Sequence, residues 1–400
     1  MLRLLAASPA MIDLASDAVR ADPYPAYAAI REAGPAVHDE RHGCWYVGRH
    51  EDVQAVLKDT ESFSNAAAGP EPSLQGADGT HHRSARQLIQ PLFSSQRIVA
   101  LDTAIGDVAA EVVGRLHGRA SCEFMSEVAG VLPARVLGWM LGDPALQPAV
   151  IRRWSDAIIL AGDERHRARK SGGRHPGGDT RGWPEDMTRC EAYLRDTLAR
   201  AAVRPTGGWV ADLLAAEHRA GRLSEDRFVD IALLLIVGAT ETTTALSGIA
   251  AQRLAVDQSL QERLQEHPDL IEPFVEECLR FESPVQRRPR IAMRGARVDR
   301  VELPEGSIVV ALIGSANRDP TVFSDPDTFR LGRDNAHRHL AFSIGPHVCP
   351  GAQLAHREVQ ALIGTMVRCL PPFRLADPDT PLEQPVNLNL RGPRRLELVF

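Results

Sequence analysis

The chain has 400 residues, 44% of them hydrophobic and 24% charged, an ordinary globular composition able to bury a sizeable core. A formal net charge of −6 gives no reason to expect nucleic-acid binding, and six scattered cysteines suggest no disulfide framework and fit a reducing compartment. The apolar runs in Met1–Pro9 are too short to span a bilayer and make a poor signal sequence, so a cytoplasmic protein with no membrane attachment is expected.

In chain order, Asp22-Pro23-Tyr24-Pro25 opens a helix that runs to about Glu32 and closes at Gly34-Pro35. A short strand signal covers Cys44 to Val47, and a helix is expected from Glu51 to Lys58. Residues 64–80 are rich in Gly, Pro, Ala and Asn and read as a loop. Asp102 to Leu160 reads helical, with Pro133 and Asp143-Pro144 as punctuation. Residues 162–184 alternate glycines with Arg165, Arg167, Arg169, Lys170, Arg174 and Arg181. That pattern fits either a solvated insertion or a lid favouring an acidic or carrier-protein-bound substrate.

Ser224 suits the N-cap of a long helix from Glu225 to about Val256. Phe228 to Ala239 is apolar nearly all round, which predicts a central, buried helix. Thr240-Glu241-Thr242-Thr243-Thr244 interrupts the run and argues against a membrane span. A buried carboxylate and hydroxyl are costly without partners or a task. Beyond a helix holding Glu276 to Arg280, Arg290 to Val310 reads as short strands with turns, 315–340 as irregular, and Leu388 to Phe400 as a weak strand. With no repeat or linker, one mainly α domain over 1–400 with a small β-rich region is expected.

The most informative stretch is Phe342-Ser343-Ile344-Gly345-Pro346-His347-Val348-Cys349-Pro350-Gly351-Ala352. Cys349 lies between two glycines and just before a helical pattern. Glycine permits close backbone approach, and a helix N-terminus favours a thiolate over a thiol. With an aromatic shield, this suits a thiolate-ligated haem iron. A lone buried cysteine is the plainer reading. Zinc on His337, His339, His347 and Cys349 is a third, but it lacks a paired cysteine spacing.

This stretch closely resembles the cysteine loop of the cytochrome P-450 family, F-G-x-G-x-H-x-C-x-G, with Ser343 in place of the first glycine. Three more motifs are similar and follow the family's order. His82 and Arg86 match H-x-x-x-R. Gly238-Ala239-Thr240-Glu241-Thr242 matches A-G-x-E/D-T with the two small residues exchanged. Glu277 and Arg280 match E-x-x-R. The resemblance covers about Asp22 to Phe400 and implies the cytochrome P-450 fold, a helical prism with a small β-rich region.

By resemblance, Cys349 is the axial ligand of a heme b iron, with Phe342 and Gly351 beside it. His82, Arg86, Arg290 and His347 hold the propionates, and Arg288 competes with Arg290. Thr242 hydrogen-bonds dioxygen, and Glu241 relays protons toward it. Glu277, Arg280 and Arg333 form a structural network. His356 stands where the family usually has arginine. Pro350 has no N–H, so it cannot donate to the cysteine sulfur.

The implied activity is that of a haem-thiolate monooxygenase fed by a separate ferredoxin and ferredoxin reductase. It would oxidise a small molecule, with natural-product biosynthesis one setting. Oxidative coupling, cyclisation or nitration would keep every motif; a peroxygenase and a haem-thiolate gas sensor fit less well. The substrate itself is not legible. Pocket residues are expected from 64–80, 158–185, Leu234 to Thr242 and the segment after Pro284.

Overall fold

A computed structural model describes residues 13–68, 75–171, 183–385 and 387–400. Its helices are α1 (Asp17–Ala21), α2 (Tyr24–Ala33), α3 (His50–Lys58), α4 (Gly79–Ile89), α5 (Ser95–Val99), α6 (Asp102–Gly114), α7 (Val131–Leu141), α8 (Pro148–Ser171), α9 (Trp183–Val203), α10 (Trp209–Arg219), α11 (Glu225–Val256), α12 (Gln258–Glu266), α13 (Ile271–Phe281), α14 (Ile313–Ala316) and α15 (Ala352–Cys369). Its strands are β1 (Val37–Asp39), β2 (Cys44–Val47), β3 (Phe63–Ser64), β4 (Ser121–Glu123), β5 (Arg287–Ala292), β6 (Arg297–Val298), β7 (Val301–Glu302), β8 (Ile308–Leu312), β9 (Arg374–Leu375) and β10 (Glu397–Val399).

The long helix α11 organises the packing. Its N-cap is Ser224, whose hydroxyl accepts the Arg227 N–H at 3.2 Å, satisfying one of the four orphan donors of the first turn. By length and composition α11 could cross a membrane. Here it packs against α7, α8, α9, α13 and α15. Phe228, Ile231, Leu235 and Ile236 join Leu137, Leu198 and Leu362 in the main core. Each such side chain contributes about 1.5–3 kcal/mol by leaving water.

A second core lies under a five-stranded sheet of order β1-β2-β8-β5-β3, in which only β2 and β8 run parallel. Val47, Val309 and Ala311 of the sheet bury against Val53 and Val56 of α3. Strand alternation sends Arg287 to one face, where it donates to the Leu14 carbonyl at 3.0 Å, and places Arg288 and Arg290 on the other.

The structure departs from the sequence reading in five places. The basic run Arg165 to Lys170 continues α8 instead of beginning a loop. No glycine or proline interrupts it before Gly172, and Arg, Ala and Lys are good helix formers. Within the 162–184 reading, 172–182 lies outside the described residues. Pro133 does not break a helix but sits in the first turn of α7, where its missing N–H is no loss. Ser121–Glu123 is a strand within the stretch read as helical, paired antiparallel with β10. The 64–80 loop contains the end of β3, a 3-10 turn at Asn65–Ala68 and the start of α4. The 315–340 stretch carries the last residues of α14 and a 3-10 turn at Ala336–Arg338.

One buried carboxylate in α3 sets a pH dependence. Asp52 is buried with one oxygen unpartnered, and burial, with Glu51 adding repulsion, raises its pKa to about 6. The folded value exceeds the unfolded one, so this group favours folding at low pH and withdraws that contribution as pH rises through about 6. Asp52→Asn should therefore stabilise the protein by about 1–2 kcal/mol near pH 8 and leave it unchanged near pH 4. Urea midpoints at the two pH values check this; a pH-independent difference would contradict it.

Candidate active site

The cysteine loop is pinned at its own neck, where the Cys349 N–H donates to the Phe342 carbonyl at 2.9 Å. Gly345 takes φ +76°, and a Cβ there would lie 3.1 Å from the Lys58 Cα, so the position requires glycine. Ser343 also adopts a left-handed φ, 61°, which strains an L-residue. Ser343→Gly should stabilise the fold by about 0.5–1 kcal/mol. Denaturant unfolding tests this, and a destabilised variant would mean that the Ser343 side chain contributes more than the strain costs.

Cys349 is exposed, yet protein surrounds it closely enough for burial to push its thiol up. The Gly351 N–H, the Arg288 and Arg86 guanidinium groups and the Ala352 N–H act in the opposite direction and favour the thiolate. Helix α15 starts at Ala352 with Gly351 as N-cap. The loop thus supplies two backbone donors to the sulfur, and Pro350 cannot be a third. A Cβ on Gly351 would lie 4.0 Å from the Cys349 sulfur and 3.7 Å from the Phe93 ring, ordinary contacts that packing alone would allow.

Three segments bring nitrogen groups to the same place. On α4, His82 and Arg86 share a face, and Arg86 donates to the Val348 carbonyl at 2.6 Å. The His82 and His347 rings lie 3.9 Å apart, tilted by 30°. Burial lowers both imidazoles, His347 to about 3, so they are neutral hydrogen-bonding groups at physiological pH. Arg290 is buried, and burial followed by repulsion from Arg288 brings it down to about 10. The Arg290 Nε and His347 Nε2 atoms are both buried without a hydrogen-bond partner. An Asp78 oxygen lies 3.7 Å from His347 Nε2, too far to serve as one. Arg288 lies on Arg290's face of β5, so the two do not exclude each other.

On α11, Thr242 Oγ1 donates to the Gly238 carbonyl at 3.0 Å, the back-bond that loosens a helix locally. Gly238 is exposed although the helix is central, and a Cβ there would meet nothing within 4 Å. Burial raises the Glu241 carboxyl, a hydrogen bond from Ser155 opposes this, and the charge of Asp156 adds to it.

Glu277 and Arg280 form a bidentate pair, 2.7 Å at each contact, with both side chains 0% exposed. Arg333 Nε reaches both Glu277 oxygens at 3.1 and 3.2 Å, and the Arg330 N–H donates to the same carboxylate at 2.9 Å. Arg280 also donates to the carbonyls of Asn317 and Pro326. This network ties α13 to the segment leading into the cysteine loop.

The cytochrome P450 family profile matches residues 197–398. Cytochrome P450 109 of Bacillus spizizenii is 30% identical over 386 residues, covering 96% of this chain and 94% of that protein. The chain is a cytochrome P450. Steroid C26-monooxygenase of Mycolicibacterium smegmatis is 29% identical, covering 94% of this chain and 92% of that one. The crystal structure of P450BioI, in complex with an acyl carrier protein bearing hexadec-9Z-enoic acid, superposes with a TM-score of 0.85 at 26% identity, over 96% of this chain and 99% of that one.

Membership of the P450 family makes the protein a haem oxidoreductase, and the residues present fit the group. Cys349 offers a thiol with two backbone donors to its sulfur. Two orphaned buried nitrogens, on Arg290 and His347, lie with Arg86, Arg288 and His82 where carboxylates would satisfy them. The zinc alternative has no geometric support: His347 stacks on His82, while His339 turns to Glu276 at 3.3 Å.

Sequence reasoning missed two features of this P450. One is a cluster beside Phe342. Glu276 lies 3.3 Å from both His339 and His356, and the Phe342 ring lies 5.9 and 5.1 Å from the two imidazoles, tilted to each. His356 therefore has a carboxylate partner in the position where arginine was expected. Glu276 stands directly before the E-x-x-R motif, the one signal in the sequence that marks it. The other is the hydrogen bond from Ser155 of α8 to Glu241, with the charge of Asp156 acting on the same carboxyl, which no local pattern announces.

Proposed function

We propose that this P450 is a haem-thiolate monooxygenase that activates dioxygen to hydroxylate or otherwise oxidise a small organic substrate in the cytoplasm. The observation that carries this reading is the cysteine site: Cys349 has two backbone donors to its sulfur, and the Arg290 and His347 nitrogens of the neighbouring cluster are buried without a partner. Bound heme b, ligated by Cys349, would supply dioxygen binding and O–O cleavage. Arg86, Arg288 and Arg290, with neutral His82 and His347, would hold its propionates by charge-assisted and neutral hydrogen bonds. Phe342 and Gly351 would bound the sulfur side. Glu277, Arg280 and Arg333 would hold the loop without touching the reaction.

Thr242 and Glu241 would deliver protons. The Thr242 hydroxyl bonds the carbonyl of the exposed Gly238, and burial raises the Glu241 carboxyl above its ordinary range, which favours its holding a proton. Electrons would come from a ferredoxin and its reductase as separate chains. The complex of P450BioI with an acyl carrier protein supports a carrier-bound acyl substrate as one candidate class, alongside free acidic small molecules.

Screening small-molecule libraries for shifts of the haem Soret band identifies the substrate. With a binder in hand, Thr242→Ala should still bind haem and substrate but release most of the consumed oxygen as hydrogen peroxide, lowering coupled product by roughly 10–100-fold. Unchanged coupling would remove Thr242 from proton delivery.

A further inference from the structure

Where the resemblance leads one to expect arginine, this chain has a titratable residue, His356, and the reading above leaves its surroundings unused. Glu276 of α13 reaches both arms of the cysteine loop. Its Oε2 lies 3.3 Å from His339 Nε2 on the arm that enters the loop, and its Oε1 lies 3.3 Å from His356 Nε2 on α15, the arm that leaves it. Between the arms, the Phe342 ring lies 5.1 Å from the His356 ring and 5.9 Å from the His339 ring. The Phe342 carbonyl accepts the Cys349 N–H at 2.9 Å. His356 is four residues beyond Ala352, the first residue of α15, which is about 6 Å along the helix axis. A charge on His356 therefore sits a short way from Cys349, with protein rather than bulk water between them.

The two imidazoles are not equivalent. His339 Nδ1 accepts the Ala341 N–H at 3.2 Å, so the neutral ring carries its hydrogen on Nε2, beside Glu276. A second proton on His339 would break the Ala341 bond, and that side chain is 5% exposed. His356 is 20% exposed, and no hydrogen bond to its Nδ1 occurs among the described residues, so a proton from solvent goes there. Burial lowers the His356 imidazole, Glu276 and Glu272 of α13 raise it, and His339 opposes them. Burial raises the Glu276 carboxyl, but His339, His356 and the exposed His337 bring it below its ordinary range. Arg357, the next cation on α15, is turned away to Asp102 at 2.7 Å. The cluster beside Phe342 thus holds an ionised carboxylate and a ring that gains or loses a charge with pH. Arginine at 356 would keep its charge throughout.

We propose that His356, held by Glu276, takes up a proton when the Cys349-ligated iron takes up an electron, so that reduction becomes easier as pH falls. This rests on the reading that Cys349 ligates a haem iron. In the step, the reduced ferredoxin partner is oxidised by one electron, and the iron passes from ferric to ferrous. One proton leaves bulk water for His356 Nδ1, and that N–H is the only bond formed in the cluster. The reduced iron–thiolate unit carries one more negative charge than the oxidised unit, so it holds the nearby proton more tightly. By linkage, the protonated cluster is the easier one to reduce. His356 and Glu276 are positioning residues: they act through Phe342 and the start of α15.

Spectroelectrochemical titration of the haem-loaded protein from about pH 5.5 to about pH 8.5 reads this coupling without substrate or turnover. In the wild type, the ferric/ferrous equilibrium should favour the reduced state about three- to tenfold more at the acid end, roughly 30–60 mV for one electron. His356→Gln should remove that pH dependence. His356→Arg should remove it too, but with a potential at or above the acid value of the wild type, because its charge is permanent. Two variants of different charge that both lose the dependence separate titration from packing, and if His356→Gln fails to fold, His356→Arg decides alone. Glu276→Gln should raise the alkaline potential, since a negative charge is gone, and move the remaining dependence to lower pH, since His356 loses the group that favours its charged form. A wild-type potential that does not change with pH, or a dependence that survives in the His356 variants, overturns the proposal. A reduced, carbon monoxide-bound wild type without the thiolate Soret band would instead fail the reading of Cys349, whatever the potential does.

Discussion

Glu277→Gln is expected to cost about 3–5 kcal/mol, much of the 5–15 kcal/mol that holds a typical domain folded. The substitution keeps the side-chain volume and removes only the charge. Arg280 is 0% exposed and Arg333 nearly so, so two guanidinium groups would be left in the interior without a counter-charge. The Arg330 N–H and the Arg280 bonds to the Asn317 and Pro326 carbonyls depend on the same geometry. The urea midpoint should fall sharply, and haem content should fall with it, because the network anchors the segment leading to the cysteine loop. A loss below about 1 kcal/mol would place the pair among surface-like ion pairs and contradict the buried-network account.

Cys349→Ala is expected to remove the thiolate-ligated ferric signature from the electron paramagnetic resonance spectrum completely. No other cysteine can substitute. Cys44, Cys122, Cys190 and Cys278 are buried, and burial pushes the thiols of Cys122 and Cys190 up to about 12, far from the ionised form a metal needs. Cys369 is exposed but ends α15, and seventeen helical steps from Ala352 place it about 25 Å along the axis. A folded Cys349→Ala protein that kept the signature would move the ligand to another residue.

The parts of this P450 that were legible in the sequence are those whose physics is local. Ser224 and the apolar run after it mark α11 to the residue, because a cap and a helical period are short-range signals. The cysteine loop is legible because Gly345, Cys349, Gly351 and the helical pattern after them stand close together in the sequence. Glu277 and Arg280 pair at i and i+3, which sequence spacing reveals. Arg333 was reachable only through resemblance, since the loop from 317 to 333 has to fold back for it to meet Glu277.

What stayed hidden depends on which elements meet. Strand β4 has three residues, and its partner β10 lies at the other end of the chain, so no alternation could show it. The Glu276–His339–His356 cluster joins α13, α15 and a loop. The Ser155–Glu241 contact is set by how α8 crosses α11. Gly172 and its neighbours led the basic run before them to be read as loop, although that run alone has helix-forming composition.

The most direct test is the carbon monoxide difference spectrum of the reduced, haem-loaded wild-type protein. A cysteinate from Cys349 opposite carbon monoxide should give the strongly red-shifted Soret band of a thiolate-ligated haem. A folded, haem-replete protein showing only the band of a histidine-ligated or thiol-ligated haem would contradict the assignment of Cys349 as the iron's ligand and, with it, the proposed oxygen chemistry.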